Sequence, residues 1–170
     1  MLQGIIRFVA RTSFALLLVN ALTAAALEPA TGKVILTVSG KIAEKNSGNT
    51  ANFDLEMLEK LPAVSFTTQT PWDKHPVKFT GPLLRDVLAA VKATGTTMHA
   101  VAVNDYKTAI PVSDAHSFGM ILAYKMNDQP ISLRTKGPLF IVYPFDAKPE
   151  LQTDLYYGRS AWQLRWLEIE

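Results

Sequence analysis

Apolar residues recur in short runs along the chain, separated by polar turns. Runs that are rich in β-branched and aromatic residues and bounded by Gly, Pro or Asn-Asp pairs predict strands. On this pattern, strands are predicted at residues 34–39, 51–53, 63–68, 98–103, 107–111 and 139–143, with another beginning near residue 161. Asn104-Asp105 and Asn127-Asp128 are turn-forming pairs between such segments.

Two segments have the features of helices. Asp54 is a suitable N-cap for a short helix at 55–61, which Pro62 ends. After a polar loop at 73–78, residues 79–83 are predicted to open a longer helix, with Pro82 in the first turn, where its missing N–H costs nothing. Its apolar residues fall on one face, and we expect it to end at the sequence Thr94-Gly95. Ser113 or Asp114 is expected to cap a further single turn.

These elements indicate the fold class. Strands and short helices are mixed without the regular strand–helix–strand alternation of a parallel α/β protein, so the pattern predicts an α+β fold with a mixed or antiparallel sheet. The 170 residues, 48% of them hydrophobic, fit one domain with its own core. We place this single domain at residues 27–170.

The first 26 residues have the features of a secretory signal peptide. Arg7 and Arg11 supply a positive start, residues 14–22 an apolar run, and the alanines at 24–26 a small-residue cleavage site, so the mature chain is expected to begin at Leu27. The alternative is an uncleaved N-terminal anchor. Without these residues, 17 basic residues become 15, against 15 acidic residues. A neutral chain without a basic cluster is not expected to bind nucleic acid or anionic lipid.

The chain contains no cysteine. This excludes disulfides, thiolate metal sites and a cysteine nucleophile. His75, His99 and His116 lack the spacing of helical zinc ligands, and ordinary solvated or hydrogen-bonded histidines are favoured over a metal cluster. There is no phosphate-binding Gly-rich loop and no nucleophile elbow. Three tryptophans are candidates for lining a pocket or for filling the core: Trp72, Trp162 and Trp166.

From residue 66 onward, the order and spacing of short segments resembles the molybdopterin-binding domain of sulfite-oxidase-like oxidoreductases. The resembling segments are, in chain order, Trp72, 79–88 (FTGPLLRDVL), 103–106 (VNDY), 110–114 (IPVSD), 121–124 (ILAY), 127–131 (NDQPI), 136–139 (KGPL), 142–144 (VYP) and Trp162. The resemblance implies a mixed α+β domain that holds the pterin cofactor among loops at one edge.

One departure from the family pattern concerns the metal. Family enzymes carry a molybdenum-ligating Cys before the Trp-containing loop, and counting back from Trp72 puts Thr68 at that position. A Thr hydroxyl is not ionised near neutral pH and is a poor replacement for a soft thiolate. The basic residues that grip the cofactor pyrophosphate in the family are not recognisable either. We therefore expect no molybdopterin and no metal.

The leader supports the same interpretation. Three residues separate Arg7 from Arg11, so there is no twin-Arg signal. A general-secretion leader delivers an unfolded chain, whereas the resemblance implies enzymes that fold around their cofactor before export. The chain resembles the short, stand-alone periplasmic relatives that lack the metal-ligating Cys. We expect a periplasmic, non-catalytic binding or accessory domain.

If the family pocket persists, the resemblance implies a particular set of lining residues. One wall is expected from Thr68, Gln69, Thr70 and Trp72, and the opposite wall from Asn104, Asp105 and Tyr106. Arg159 and Arg165 are candidates for binding a small anionic ligand, because a guanidinium suits carboxylate or phosphate geometry. The alternative is that Asn104-Asp105 only makes a turn and Thr68-Gln69 only ends a strand.

Three points stay open at this level. The chain could instead be an active molybdopterin-dependent oxidoreductase with a non-Cys ligand to molybdenum. It could also be an interaction module for a membrane sensor or a redox protein, with no need for a pocket. Residues 156–159 could cover the pocket or project into solvent.

Overall fold

The computed structural model describes residues 27–170, so the predicted signal peptide lies outside the described residues. This part of the chain contains eleven strands: β1 (Leu36–Gly40), β2 (Ala51–Phe53), β3 (Ala63–Thr68), β4 (Val77–Pro82), β5 (Thr97–Ala102), β6 (Lys107–Pro111), β7 (Ile121–Ala123), β8 (Lys125–Met126), β9 (Gln129–Pro130), β10 (Phe140–Val142) and β11 (Leu164–Ile169). The helices are α1 (Leu55–Glu59), α2 (Leu84–Ala90), α3 (Val112–Ser117) and α4 (Asp154–Arg159), with a 3₁₀ turn at Pro149–Leu151. Over these residues, we find no helix with the length and apolar character needed to cross a bilayer.

The strands form three sheets. A five-stranded sheet has the order β2-β1-β11-β5-β6, in which β1 and β11 are parallel and the other pairs are antiparallel. A four-stranded antiparallel sheet has the order β3-β4-β8-β9, and β7 pairs with β10 in a third sheet. Mixed pairing with short helices confirms the predicted α+β class. The predicted bounds of β2, β3 and β6 are also confirmed.

Two apolar clusters hold the layers together. The larger cluster lies under one face of the five-stranded sheet and includes Leu36, Val38, Leu88 and Leu167. The smaller cluster joins the other two sheets through Val77, Phe79, Ile121, Ala123, Ile131, Phe140 and Val142. Strands β7 and β10 contribute to both clusters, because alternate residues point to opposite faces: their central residues Leu122 and Ile141 lie in the larger cluster and the flanking residues lie in the smaller one. The smaller cluster lies directly behind the candidate site.

The prediction that residues 79–83 open a helix is wrong, and so is the prediction of a loop up to residue 78. Residues 77–82 form β4, in which buried Val77 and Phe79 alternate with the half-buried Lys78 and Thr80. Gly81 permits β4 to approach β7, because a Cβ at this position would lie 2.0 Å from the Leu122 carbonyl oxygen. A Gly-Pro pair that suggests a helix start thus ends a strand, because the neighbouring strand requires a residue without a side chain.

Two predicted helix ends are also wrong. Helix α2 ends at Ala90, with Val91 as its C-cap and Lys92 in the left-handed region at a φ of 48°, so Gly95 does not end it. Pro111 occupies the N-cap position of α3, so neither Ser113 nor Asp114 caps that helix. Asp114 is instead buried inside α3, where it makes tertiary contacts that are described below.

The predicted N-cap of α1 is confirmed. Asp54 Oδ1 accepts the backbone N–H of Met57 at 2.9 Å, and Oδ2 accepts the N–H groups of Thr31 and Gly32 at 2.9 and 2.7 Å. These hydrogen bonds stabilise the ionised carboxylate, so the pKa of Asp54 is lowered below its usual value. The hydrogen bond from the Gly32 N–H makes the largest contribution to this shift.

The lowered pKa of Asp54 predicts a loss of stability in acid. A carboxyl group whose folded pKa is depressed contributes stability above its unfolded pKa of about 3.9, and this contribution is lost as the pH falls through the folded pKa. An asparagine side chain has one acceptor oxygen, so it keeps only part of these hydrogen bonds, and it cannot be protonated in this range. We expect Asp54→Asn to reduce the fall in unfolding free energy between pH 6 and pH 2, measured by urea titration. An unchanged fall would contradict the assignment.

Candidate functional site

A cavity of about 300 Å³ opens between the loop after β3, the turn after β5 and the helix α4. Four of its eight lining residues are aromatic: the cavity is lined by Trp72, Ala102, Asn104, Tyr106, Tyr157, Gly158, Ser160 and Trp162. None of these eight residues carries a charge. A concave site with an apolar lining and a few polar groups is the usual form of a small-molecule site.

Two tryptophans form the closest aromatic pair of the site. The rings of Trp72 and Trp162 meet edge to face, with centroids 4.9 Å apart and an angle of 82°. Tyr157 approaches Trp72 in the same manner at 6.0 Å, and buried Phe140 supports both tryptophans from behind at 6.0 Å. Because the Trp72 side chain is 36% exposed, part of its ring is available to a ligand.

Polar atoms connect the two sides of the cavity. The Tyr106 hydroxyl donates to the Gly158 carbonyl oxygen at 2.7 Å, which joins the turn after β5 to α4. Asn104 Oδ1 accepts the backbone N–H of Tyr106 at 3.2 Å. That bond uses the carbonyl oxygen of the side chain, so the amide NH₂ is the group of Asn104 that can donate to a ligand.

Helix α4 is held in place by a buried polar contact. Asp114 Oδ2 accepts both the Tyr143 hydroxyl at 2.8 Å and Arg159 Nη1 at 2.9 Å. The guanidinium of Arg159 also lies over the ring of Tyr156, with its carbon 5.4 Å from the centroid. Burial, together with the nearby Asp114 carboxylate, raises the pKa of Tyr143 well above its usual value, so this hydroxyl stays protonated and donates.

The loop that carries Trp72 is fastened by its own side chains. Thr70 Oγ1 donates to Asp73 Oδ2 at 2.6 Å, and Lys136 Nζ lies 2.6 Å from Asp73 Oδ1. The Gln69 side chain donates to the backbone carbonyl oxygens of Thr70 and Asp73. Gln69 and Thr70 therefore position Trp72 but do not line the cavity.

Thr68 has an environment that differs from that of a metal ligand. Its side chain is fully buried, and Oγ1 accepts the backbone N–H of Asp146 at 3.0 Å. Asp146 Oδ2 in turn accepts the N–H of Gln69 at 3.0 Å. The hydroxyl therefore joins the end of β3 to the segment after β10, and it is not among the residues that line the cavity.

The structure brings together three of the nine predicted site residues at the cavity: Trp72, Asn104 and Tyr106. Arg159 lies next to Gly158 in α4, but Asp114 engages its guanidinium. Asp105 and Arg165 form an exposed ion pair at 2.7 Å, and Arg165 borders a separate shallow depression beside Trp166. Both predicted basic residues are thus paired with carboxylates.

The sequence does not predict the remaining lining residues of the cavity, or leaves their role open. Trp162 lines the cavity, whereas Trp166 borders the separate depression. In the segment 156–159, Tyr157 and Gly158 line the cavity. Ala102 and Ser160 carried no sequence signal of a binding role, because a small residue at a strand or helix end is common throughout proteins. Aromatic content was the signal that identified Trp162 as a candidate.

The residues at this site do not fit a molybdenum centre. The described chain has no cysteine, and Thr68, at the position predicted for the family's Cys, has an oxygen that accepts a backbone N–H and a hydroxyl that does not ionise at neutral pH. Within residues 27–170, no group of three or more His, Asp or Glu side chains is arranged to hold a metal ion. The cavity also lacks a cationic side chain that could bind a pyrophosphate.

Comparisons with known proteins place this geometry in context. Residues 31–146 match the family described as the oxidoreductase molybdopterin binding domain. The crystal structure of the sulfane dehydrogenase SoxCD from Paracoccus pantotrophus is similar, with a TM-score of 0.61 and 16% sequence identity over 79% of this chain. The match spans 37% of that protein's chain, and at 16% identity it supports the fold alone. No curated protein sequence matches.

Proposed function

The chain belongs to the oxidoreductase molybdopterin-binding domain family, and we propose that it is a binding domain of that family without molybdenum chemistry. In this proposal, the cavity around Trp72 and Trp162 holds a small ligand. The observation that carries it is Thr68, because a buried hydroxyl that accepts the Asp146 N–H replaces the thiolate on which the family's metal chemistry depends. No reaction is assigned to the cavity.

The chemistry of the cavity favours an uncharged ligand with a planar face. Aromatic rings offer stacking and edge-to-face contacts, and the Asn104 amide offers one directional donor. An anionic ligand, as predicted from Arg159 and Arg165, would have to compete with Asp114 and Asp105 for those guanidinium groups. The anionic ligand stays a prediction, and a matched pair of probes distinguishes the two classes.

Export to the periplasm by a general-secretion leader is part of the same proposal. It rests on the charged start, the apolar run and the alanine cleavage site of residues 1–26. An accessory role beside a membrane sensor or a redox protein is compatible with that location. Protein isolated from the periplasm is expected to begin at Leu27 when its N-terminus is sequenced.

The same preparation tests the loss of molybdenum chemistry. Elemental analysis and pterin detection on protein from its native compartment are expected to find neither molybdenum nor pterin. About one molybdenum per chain, the one-to-one ratio of a single ligated metal site, would overturn the proposal and make the protein an oxidoreductase with a non-Cys ligand to the metal.

Ligand class is tested with nicotinamide and nicotinate, which share a ring and differ in charge. We expect nicotinamide to shift the indole N–H signals of Trp72 and Trp162 in a nitrogen–proton NMR spectrum, and nicotinate to shift them less. Trp166 lies outside the cavity, where its Nε1 donates to Ser39, so its signal serves as an internal control. Trp72→Ala is expected to abolish the response of Trp162. No response to either probe, or tighter binding of nicotinate, would contradict the proposed ligand class.

A further inference from the structure

The strand β3 forms an open edge of the four-stranded sheet. The sheet order places β4 on one side of β3, and no described strand pairs with its other side. Ala63, Ser65 and Thr67 are exposed, whereas Val64 and Phe66 are half-buried against the smaller apolar cluster. An open strand edge presents unpaired N–H and C=O groups, which form a template for pairing with another chain.

The neighbouring strand shows which backbone groups point outward. The carbonyl oxygens of Thr80 and Lys78 accept the N–H groups of Tyr124 and Asn127, at 3.0 and 2.8 Å, so these residues face away from β3. Because backbone groups alternate along a strand, Phe79 and its neighbours at 77 and 81 face β3. Their register partners Thr68, Phe66 and Val64 face back toward β4.

The outward groups therefore belong to Ala63, Ser65 and Thr67. The next residue in this series is Gln69, whose N–H donates to Asp146 Oδ2 at 3.0 Å. The Asp146 carboxylate therefore pairs the outward N–H at the end of the edge. The three preceding outward residues each present an N–H and a C=O that are not paired with a described strand. Within β3, no residue is charged and none is a proline, so two common devices that block edge pairing are absent from this strand.

We propose that this edge pairs with a second copy of the chain. The two β3 strands run antiparallel about a two-fold axis at Ser65, which joins the two four-stranded sheets into one. Ser65 then lies opposite Ser65 of the partner subunit, and Ala63 lies opposite Thr67 of the partner subunit. In this register, all six outward N–H and C=O groups of each strand are hydrogen-bonded, because every outward residue faces another outward residue.

The side chains favour a second copy over an unrelated strand. The same register sets Val64 opposite Phe66 of the partner subunit on the face that carries the apolar cluster, and the symmetry repeats this pair. Aromatic and β-branched residues are favourable cross-strand partners. Both residues are half-buried in the single chain, so the pairing covers apolar surface that the fold leaves partly exposed. An isologous interface needs such self-complementarity.

A cysteine cross-link tests the axis. In a hydrogen-bonded antiparallel pair, the facing Cα atoms are about 5.5 Å apart, within the range of roughly 4.4–6.8 Å that a disulfide spans. Since the chain has no cysteine, Ser65→Cys can form a disulfide only between two copies. The matched control is Ala63→Cys, because the two Ala63 positions are four residues apart along the pair, or about 14 Å. Under mild oxidation, we expect a covalent dimer from Ser65→Cys and much less from Ala63→Cys.

Charge substitutions test the interface without a covalent bond. The wild-type protein is expected to sediment with a mass that rises toward twice that of one chain as its concentration increases. Ser65→Lys places two like charges opposite each other and is expected to give a single-chain mass, as is Ser65→Glu. Mixing the two variants is expected to restore the doubled mass. Thr67→Lys is the control for added charge, because Thr67 faces Ala63 and not itself.

Three outcomes of the mass and cross-linking measurements would overturn the dimer. They are a single-chain mass at every concentration, a doubled mass that Ser65→Lys leaves unchanged, or equal cross-linking of the two cysteine variants. An extended peptide that binds the single chain at β3 would assign the edge to a different partner and would also overturn it. None of these measurements depends on ligand binding in the cavity.

Discussion

Replacement of Asp114 by alanine is expected to lower the free energy of unfolding by about 3–5 kcal/mol. The carboxylate is nearly buried and accepts the Tyr143 hydroxyl at 2.8 Å and Arg159 Nη1 at 2.9 Å. Its removal leaves a guanidinium that is only 18% exposed without its anion, and a buried hydroxyl without its acceptor. The loss of one partner of a buried pair costs more than the pair itself contributes, because the remaining charge has no hydration to replace it.

Chemical denaturation followed by tyrosine and tryptophan fluorescence measures this loss. The matched control is Glu168→Gln, which removes the anion of an exposed pair with Lys107 at 3.5 Å. Exposed pairs contribute about 0–1 kcal/mol, so this variant should differ little from wild type. If both variants lost the same small amount, Asp114 would not hold α4 in the way described. A second variant, Asp114→Ala combined with Arg159→Met, removes both charges of the buried pair and should be less damaging than Asp114→Ala alone.

Replacement of Phe140 by alanine is expected to lower the free energy of unfolding by about 3–5 kcal/mol. Phe140 is fully buried in β10 and contacts Phe79 edge to face, with centroids 5.6 Å apart. It also supports Trp72 and Trp162, each at 6.0 Å. Truncation removes the transfer free energy of the ring and leaves a void that its neighbours on rigid strands fill only in part.

The same variant separates packing from ligand contact. Phe140 does not line the cavity, yet its loss should broaden the indole signals of Trp72 and Trp162, because the rings lose their support. Leu133→Ala is the control, since Leu133 is 51% exposed and its truncation should change stability by no more than about 0.5 kcal/mol. A loss below about 1 kcal/mol for Phe140→Ala would mean that the core relaxes around the missing ring.

Local signals were sufficient for much of the secondary structure. The strand bounds at 51–53, 63–68 and 107–111 and the Asp54 cap depend on neighbours within a few residues, and the structure confirms them. Asn127 and Asp128 take positive φ values of 48° and 66° in the predicted turn. Such features depend on backbone propensity and on short side-chain reach, which the order of residues contains.

The wrong predictions concern residues whose structure depends on contacts between distant segments. Gly81 lies in strand β4 and does not open a helix, because Leu122, 41 positions later in the chain, approaches its backbone. Asp114 is a buried partner of Tyr143 and Arg159, which are 29 and 45 positions away, and not a helix cap. Neither contact can be predicted from the neighbouring residues in the chain.

The candidate site divides in the same way. The sequence by itself determined the α+β class, the family resemblance and the lack of a cysteine that could ligate molybdenum, because residue identity and order carry these facts. The tertiary structure decided that Trp72, Asn104 and Tyr106 share a cavity with Tyr157 and Trp162, while Thr68 and both arginines are occupied elsewhere. The physical reason is that packing across the fold decides which groups a side chain contacts. A guanidinium or hydroxyl group that is hydrogen-bonded to a distant residue therefore looks available for a ligand when only the sequence is read.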